Sequence, residues 1–202
     1  MRFAFFTALS LAFLTAQTSF GQDGVTIAPE VPKLEKPQPV LTKAQKLDAL
    51  FLELKKAESQ AVAEGVANRI WEAWNNSGSD SINLLMKWSQ DAMDGQKFPV
   101  ALDFLDQVVV LKPDFAEGWN RRATLHFMMN NYAKSMADID KTLQLEPRHF
   151  GALAGMGHIF LALEKKELAL RAYERALDVY PMMRAVQKQV GDIADELSGS
   201  QL

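Results

Sequence analysis

Three prolines constrain this 202-residue chain more than any other feature. Pro113, Pro147 and Pro181 are spaced 34 residues apart, twice in succession. Each closes an apolar helix-like run: VVVLKP, TLQLEP and ALDVYP. Proline removes a backbone donor and clashes with the preceding turn, so it ends a helix and is tolerated again only in the first turn of the next. A fixed period of this length is the mark of stacked helical repeats. Between the prolines the pattern reads helix, turn, helix. Asp114–Met129 is interrupted by Asn130-Asn131. Tyr132, Met136, Ile139 and Leu143 then recur as an amphipathic stripe. The next unit has Phe150–Leu163, a turn at Glu164-Lys165-Lys166, and Leu168–Val179. One period before Pro113 stands Ser79, followed by Ile82–Met93, a turn at Asp94-Gly95-Gln96, and Val100–Leu111.

Two further segments flank these units. Ala44–Ala57 and Ala61–Trp74 are amphipathic, and Asn75 to Gly78 are turn residues; they read as a degenerate first pair over 43–79. After Pro181, residues 182–197 carry Val186, Val190 and Ile193 on one stripe and charges elsewhere, as a capping helix requires.

The residues at matching positions resemble the tetratricopeptide repeat family. They are Trp119, Ala123, Tyr132 and Pro147 in one unit, and Leu153, Met156, Gly157, Phe160, Ala169, Tyr173, Ala176 and Pro181 in the next. The resemblance extends to 82–113, where Trp88 falls at a core position. It implies an all-α α-solenoid, a right-handed superhelix of helix pairs, with repeats at about 82–113, 114–147 and 148–181. It also places Trp119 between two helix pairs. Glycines 151, 155 and 157 then serve close helix packing rather than phosphate binding.

The amino-terminal 42 residues stand apart. Arg2 precedes the uncharged stretch FAFFTALSLAFLTA, whose fourteen residues span roughly 21 Å as helix, short of a ~30 Å hydrocarbon core. That is the length of a secretory signal, 1–21, with cleavage before Gln22 or after Ala16; the alternative is an inner-membrane signal anchor. Residues 22–42 hold Pro29, Pro32, Pro37 and Pro39 and read as an extended linker. Export implies the periplasm.

Composition narrows the function. The net charge of −3 and the lack of a basic cluster argue against nucleic acid. With no cysteine there is no thiol catalysis, zinc–thiolate site or disulfide. His126, His149 and His158 show no metal-ligand spacing, so neither metal, cofactor nor enzymatic activity is expected.

What remains is a binding module of the cell envelope. By the family's register its concave groove would include Asn83, Lys87, Gln90, Asn120, Arg121, Thr124, Phe127 and His158, and would hold a peptide segment of an envelope protein. Asn120 and Arg121 are the leading candidates for peptide contact. A groove walled off by the first helix pair would instead suit a carrier of a small apolar or lipid-like ligand. Members that grip acidic chaperone tails use cations and amides where this chain has Met86, Gln90, Gly151 and Gly155, so only Arg121 matches in part. Arg122 stands where the family has an apolar residue, and is expected to pair with Asp138 or Asp140.

Overall fold

The computed structural model describes residues 41–199, which form nine α-helices and no strands. The signal segment, and the linker up to its last two residues, lie outside the described residues. Of those two, Thr42 belongs to the fold. Its Oγ1 accepts from the Gln45 amide at 3.2 Å and its own amide donates to Gln45 Oε1 at 2.9 Å, a reciprocal cap that starts α1 (Lys43–Lys55).

The solenoid consists of α3 (Asp80–Asp94), α4 (Phe98–Leu111), α5 (Ala116–Met128), α6 (Tyr132–Leu145), α7 (Phe150–Ala162) and α8 (Lys166–Val179). It closes on α9 (Arg184–Gly199), which buries only Val186 and Ile193 and keeps its other faces polar. The backbone repeats as the sequence does. Gln96, Asn130 and Glu164, one period apart, all take positive φ (55°, 58° and 59°). The next residue in each case bonds back five positions: Lys97 to Ala92, Asn131 to His126, Lys165 to Phe160, at 2.8 Å. Each turn is therefore a left-handed helix stop made without glycine. The connections between pairs repeat too: the amides of Phe115, His149 and Met183 donate to Lys112, Glu146 and Tyr180.

Small residues set how closely the helices approach. A Cβ on Gly157 would collide with the Tyr173 ring, and one on Gly118 would lie 2.7 Å from Val108. Tyr173 and Val108 fill the space so left and are themselves buried.

The first pair departs from expectation. α1 and α2 (Gln60–Asn75) do not stack on α3 and α4 as a preceding repeat would. They pack along the starts of α5 and α7 and the end of α8, where Leu50, Phe51, Leu54, Ile70 and Trp74 share a core with Phe150 and Tyr180. The connection explains this. Asn76 to Ser79 carry no proline, and Gly78 sits at φ 77°, a conformation that favours glycine. Ser77 is held by Asn83, whose Oδ1 accepts from the Ser77 amide at 3.0 Å and its hydroxyl at 2.7 Å. The end of α3–α4 is left uncovered, and Trp88, expected in the core, is 44% exposed beside Phe104.

Candidate functional site

The first helices of the pairs line a concave face, and two cavities open on it. One, of about 320 Å³, is mostly apolar; its walls are Ala123, Phe127, Ile139, Ala152, Ala154 and Met183, with Asn120, Thr124 and His158 at its polar edge. The other, of about 390 Å³, is bordered by Trp71 of α2, by Gln90, Met93 and Asp94 of α3, and by Glu117, Arg121 and Met128 of α5. Asn120 and Thr124 border both, so the two are compartments of one groove.

His158 is positioned from behind. Its Nδ1 lies 2.8 Å from the hydroxyl of the buried Tyr173. Burial pushes that phenol up to about 12, so it stays protonated and can donate to Nδ1. In that arrangement the ring proton of His158 sits on Nε2, and the residue lines the apolar compartment. Desolvation by the groove walls holds the imidazole below its ordinary pKa, although the residue keeps an open edge.

A buried polar cluster joins α2, α5 and α7. His149 is fully buried; its Nδ1 accepts from the Ala152 amide at 3.1 Å and thereby caps α7. The proton is thus on Nε2, which donates to Glu117 Oε2 at 3.2 Å. Glu117 is 3% exposed and also accepts from Asn120 Nδ2 at 3.0 Å and Arg121 Nη2 at 3.3 Å. Trp74 stacks on His149 at 4.0 Å with the rings 9° apart. Next to it, Trp71 fits where Gly151 has no side chain: a Cβ there would be 2.7 Å from the indole.

The eight groove candidates therefore separate. Asn120, Thr124, Phe127 and His158 come together around the apolar compartment. Gln90 borders the second compartment and donates to Asp94 at 2.8 Å. Lys87 pairs with Asp91 at 2.7 Å, fully in solvent reach, and Asn83 is occupied with the Ser77 connection. Arg121 is engaged within the chain, by Asn75 Oδ1 at 2.6 Å, the Met86 carbonyl at 3.3 Å and Glu117.

Arg122 lies away from the groove. Its Nε and Nη2 donate to the two oxygens of Asp138 at 2.8 and 2.7 Å, and its Nη1 to Asp106 Oδ1 at 2.7 Å. Those carboxylates raise its pKa against the opposing effect of burial. Asp140 takes no part: two positions along α6 from Asp138 it faces solvent, and the second carboxylate comes from α4 instead. Trp119 is half-buried rather than sealed between pairs. Its Nε1 donates to the Pro113 carbonyl at 2.9 Å and Arg122 lies 4.9 Å from its ring centre. Sequence reasoning missed Glu117, His149 and Trp71. Their signals were a carboxylate and a histidine near the starts of adjacent first helices, one period apart apart from two residues, and a glycine opposite an indole.

Among the described residues no group of three histidines, cysteines or carboxylates could hold a metal ion, and no helix is long and apolar enough to cross a membrane.

No family model matches the chain. A TPR repeat-containing protein of Rhizobium etli is 46% identical over 192 residues, covering 95% of this chain and 93% of the relative. Two solved structures share the fold. The Sgt2 TPR domain from Aspergillus fumigatus aligns with a TM-score of 0.57 at 15% identity, over 61% of this chain and 83% of that one. The first TPR of Spaghetti (RPAP3), bound to the HSP90 peptide SRMEEVD, aligns with a TM-score of 0.55 at 21% identity, over 58% and 93%.

Proposed function

Because the chain belongs to the tetratricopeptide repeat proteins, we propose that it is a non-enzymatic interaction module that holds a segment of another protein in its concave groove. The observation that carries this reading is the apolar compartment between α5, α6 and α7. It offers a seat for one bulky side chain, while the Asn120 amide, Thr124 hydroxyl and His158 Nε2–H can meet a peptide backbone at its edge. The carrier alternative needs the first helix pair to close this compartment, but its walls come from α5, α6, α7 and Met183. The partner is a component of the cell envelope and the module works in the periplasm. That reading is supported by the basic start, short apolar run and small residues before Gln22.

Two measurements test it. Crosslinked pull-downs from envelope extracts should lose the same proteins when Phe127→Asp places a charge in the apolar compartment or Ala154→Trp fills it, with the helical signal unchanged; retention of every captured protein refutes the groove. Mass spectrometry of the native protein should find a new amino terminus near Gln17 or Gln22, and an intact Met1 on a cytoplasmic protein refutes export.

A further inference from the structure

The second compartment of the groove has a polarity of its own. Asp94 is exposed on its rim, and one of its oxygens accepts from Gln90. Trp71, partly buried, supplies an aromatic wall. Glu117 is offset by Arg121, and among the described residues Arg121 is the single lysine or arginine bordering either compartment. Its side chain is 17% exposed, and its guanidinium is tied to Asn75, Glu117 and the Met86 carbonyl. A carboxylate entering here would meet Asp94 without a free cation to receive it. An ammonium or guanidinium would find a carboxylate and an indole, both of which attract cations.

From this we propose that the partner segment is apolar and cationic: one bulky apolar side chain for the compartment at Phe127, and a lysine or arginine a few positions along for the compartment between Trp71 and Asp94. The two seats adjoin at Asn120 and Thr124, so one continuous stretch reaches both. This rests on the reading of the groove as a protein-binding surface. It makes the site opposite in charge preference to one that takes an acidic peptide such as SRMEEVD.

Fluorescence anisotropy with the full chain and three labelled peptides tests it. The probes are Gly-Ser-Phe-Ser-Lys-Lys-Ser-Gly, its Glu-Glu counterpart, and the Lys-Lys peptide with Phe replaced by Ala. The Phe–Lys–Lys peptide should bind about tenfold more tightly than either of the others. Asp94→Asn and Trp71→Leu should each narrow the Lys-to-Glu ratio at least about threefold, as loss of one contact requires. Circular dichroism checks the fold of the Trp71 variant, and the exposed Asp94 stands as the second, structurally mild variant. Equal binding of the Lys and Glu peptides, or a ratio that Asp94→Asn leaves unchanged, overturns the charge preference alone. Failure of all three peptides to bind overturns it together with the groove itself.

Discussion

Removing Arg122 tests the ion pair that ties α5 to both α4 and α6. The side chain is 19% exposed, Asp138 is 6% exposed and Asp106 is 54% exposed. The two carboxylates therefore differ in what they lose. Asp106 stays hydrated when the guanidinium goes, and its pair is of the kind worth about 0–1 kcal/mol. Asp138 is left buried, with His126 Nε2 the nearest cationic candidate at 4.0 Å. Stranding one partner of a fully buried pair costs about 3–5 kcal/mol. Water can enter from the exposed side of Arg122, so Arg122→Ala should cost about 2–4 kcal/mol, including the lost contact with Trp119. For a domain of this size that lowers the melting temperature by roughly 5–15 °C. Urea denaturation of a double-mutant cycle gives the assay. Arg122 and Asp138 should couple by about 2 kcal/mol or more, Arg122 and Asp106 by less than about 1. Arg122→Met with Asp138→Leu should recover most of the loss, because neither charge is then stranded. Equal coupling to both aspartates, or a melt unchanged by Arg122→Ala, would refute the assignment of the pair as structural.

Three other variants probe the frame. Trp119→Ala should cost about 1–3 kcal/mol, below the 3–5 of a fully buried aromatic, since the indole is half-buried; a larger loss in chemical denaturation would mean that it is packed between pairs after all. Glu164→Gly should stabilise by about 0.5–1 kcal/mol, because Glu164 holds φ 59° at a helix stop where glycine carries no steric penalty; an unchanged or lower urea midpoint contradicts this. Burial holds both His126 and His158 below the ordinary imidazole value of about 6.5, so on acidification the unfolded chain binds protons before the folded one. The stability they contribute is complete above about pH 6.5 and is lost as the pH falls towards their lowered values. The urea midpoint should therefore fall less steeply between pH 7 and 5 in a His126→Gln/His158→Gln variant than in the parent, and parallel slopes would remove the histidines from the account.

What the sequence made legible follows its period. Proline stops and amphipathic stripes placed α3 to α8 to within about two residues, since both signals act locally on the backbone. The packing of α1 and α2 was not legible in the same way. Their stripes predict helices, which exist, but a stripe says which face is buried and not what covers it. The clue lay in the connection: Asn76 to Ser79 has Ser79 one period before Pro113, where the later connections have proline, with Gly78 just before it. Asp138 and Asp140 could have been separated by helix geometry, because residues two apart point to different faces and only one can meet α5. Asp106 was harder. It reaches Arg122 from the preceding pair, and that contact depends on the stacking offset between repeats rather than on any spacing within one. His149 illustrates the remaining gap. Its place just after Pro147 marks a helix start, but that it caps α7 while donating to Glu117 depends on two helices brought together by the fold.

The displaced first pair has two consequences that belong together. A stacked repeat would have covered α3 and α4; without it, Leu84, Trp88 and Val100 are each 44% exposed at the open end. In exchange, α2 reaches the rim of the concave face. Trp71 enters the space beside Gly151, and Trp74 closes over His149. Asn75 takes the Arg121 fork that would otherwise face a ligand. A groove built from first helices alone would present Arg121 and Glu117 to solvent; here α2 covers both and adds an indole wall. The same helix pair that lacks the repeat's stacking position therefore alters what the groove can recognise. It withdraws the cation suited to a carboxylate and leaves Asp94 and Trp71 at the edge of a compartment suited to a cation. On this reading the determinants of specificity lie as much in the irregular pair as in the repeats, because the regular helices supply the apolar seat and Asp94, while the irregular one adds the Trp71 wall and engages Arg121 through Asn75.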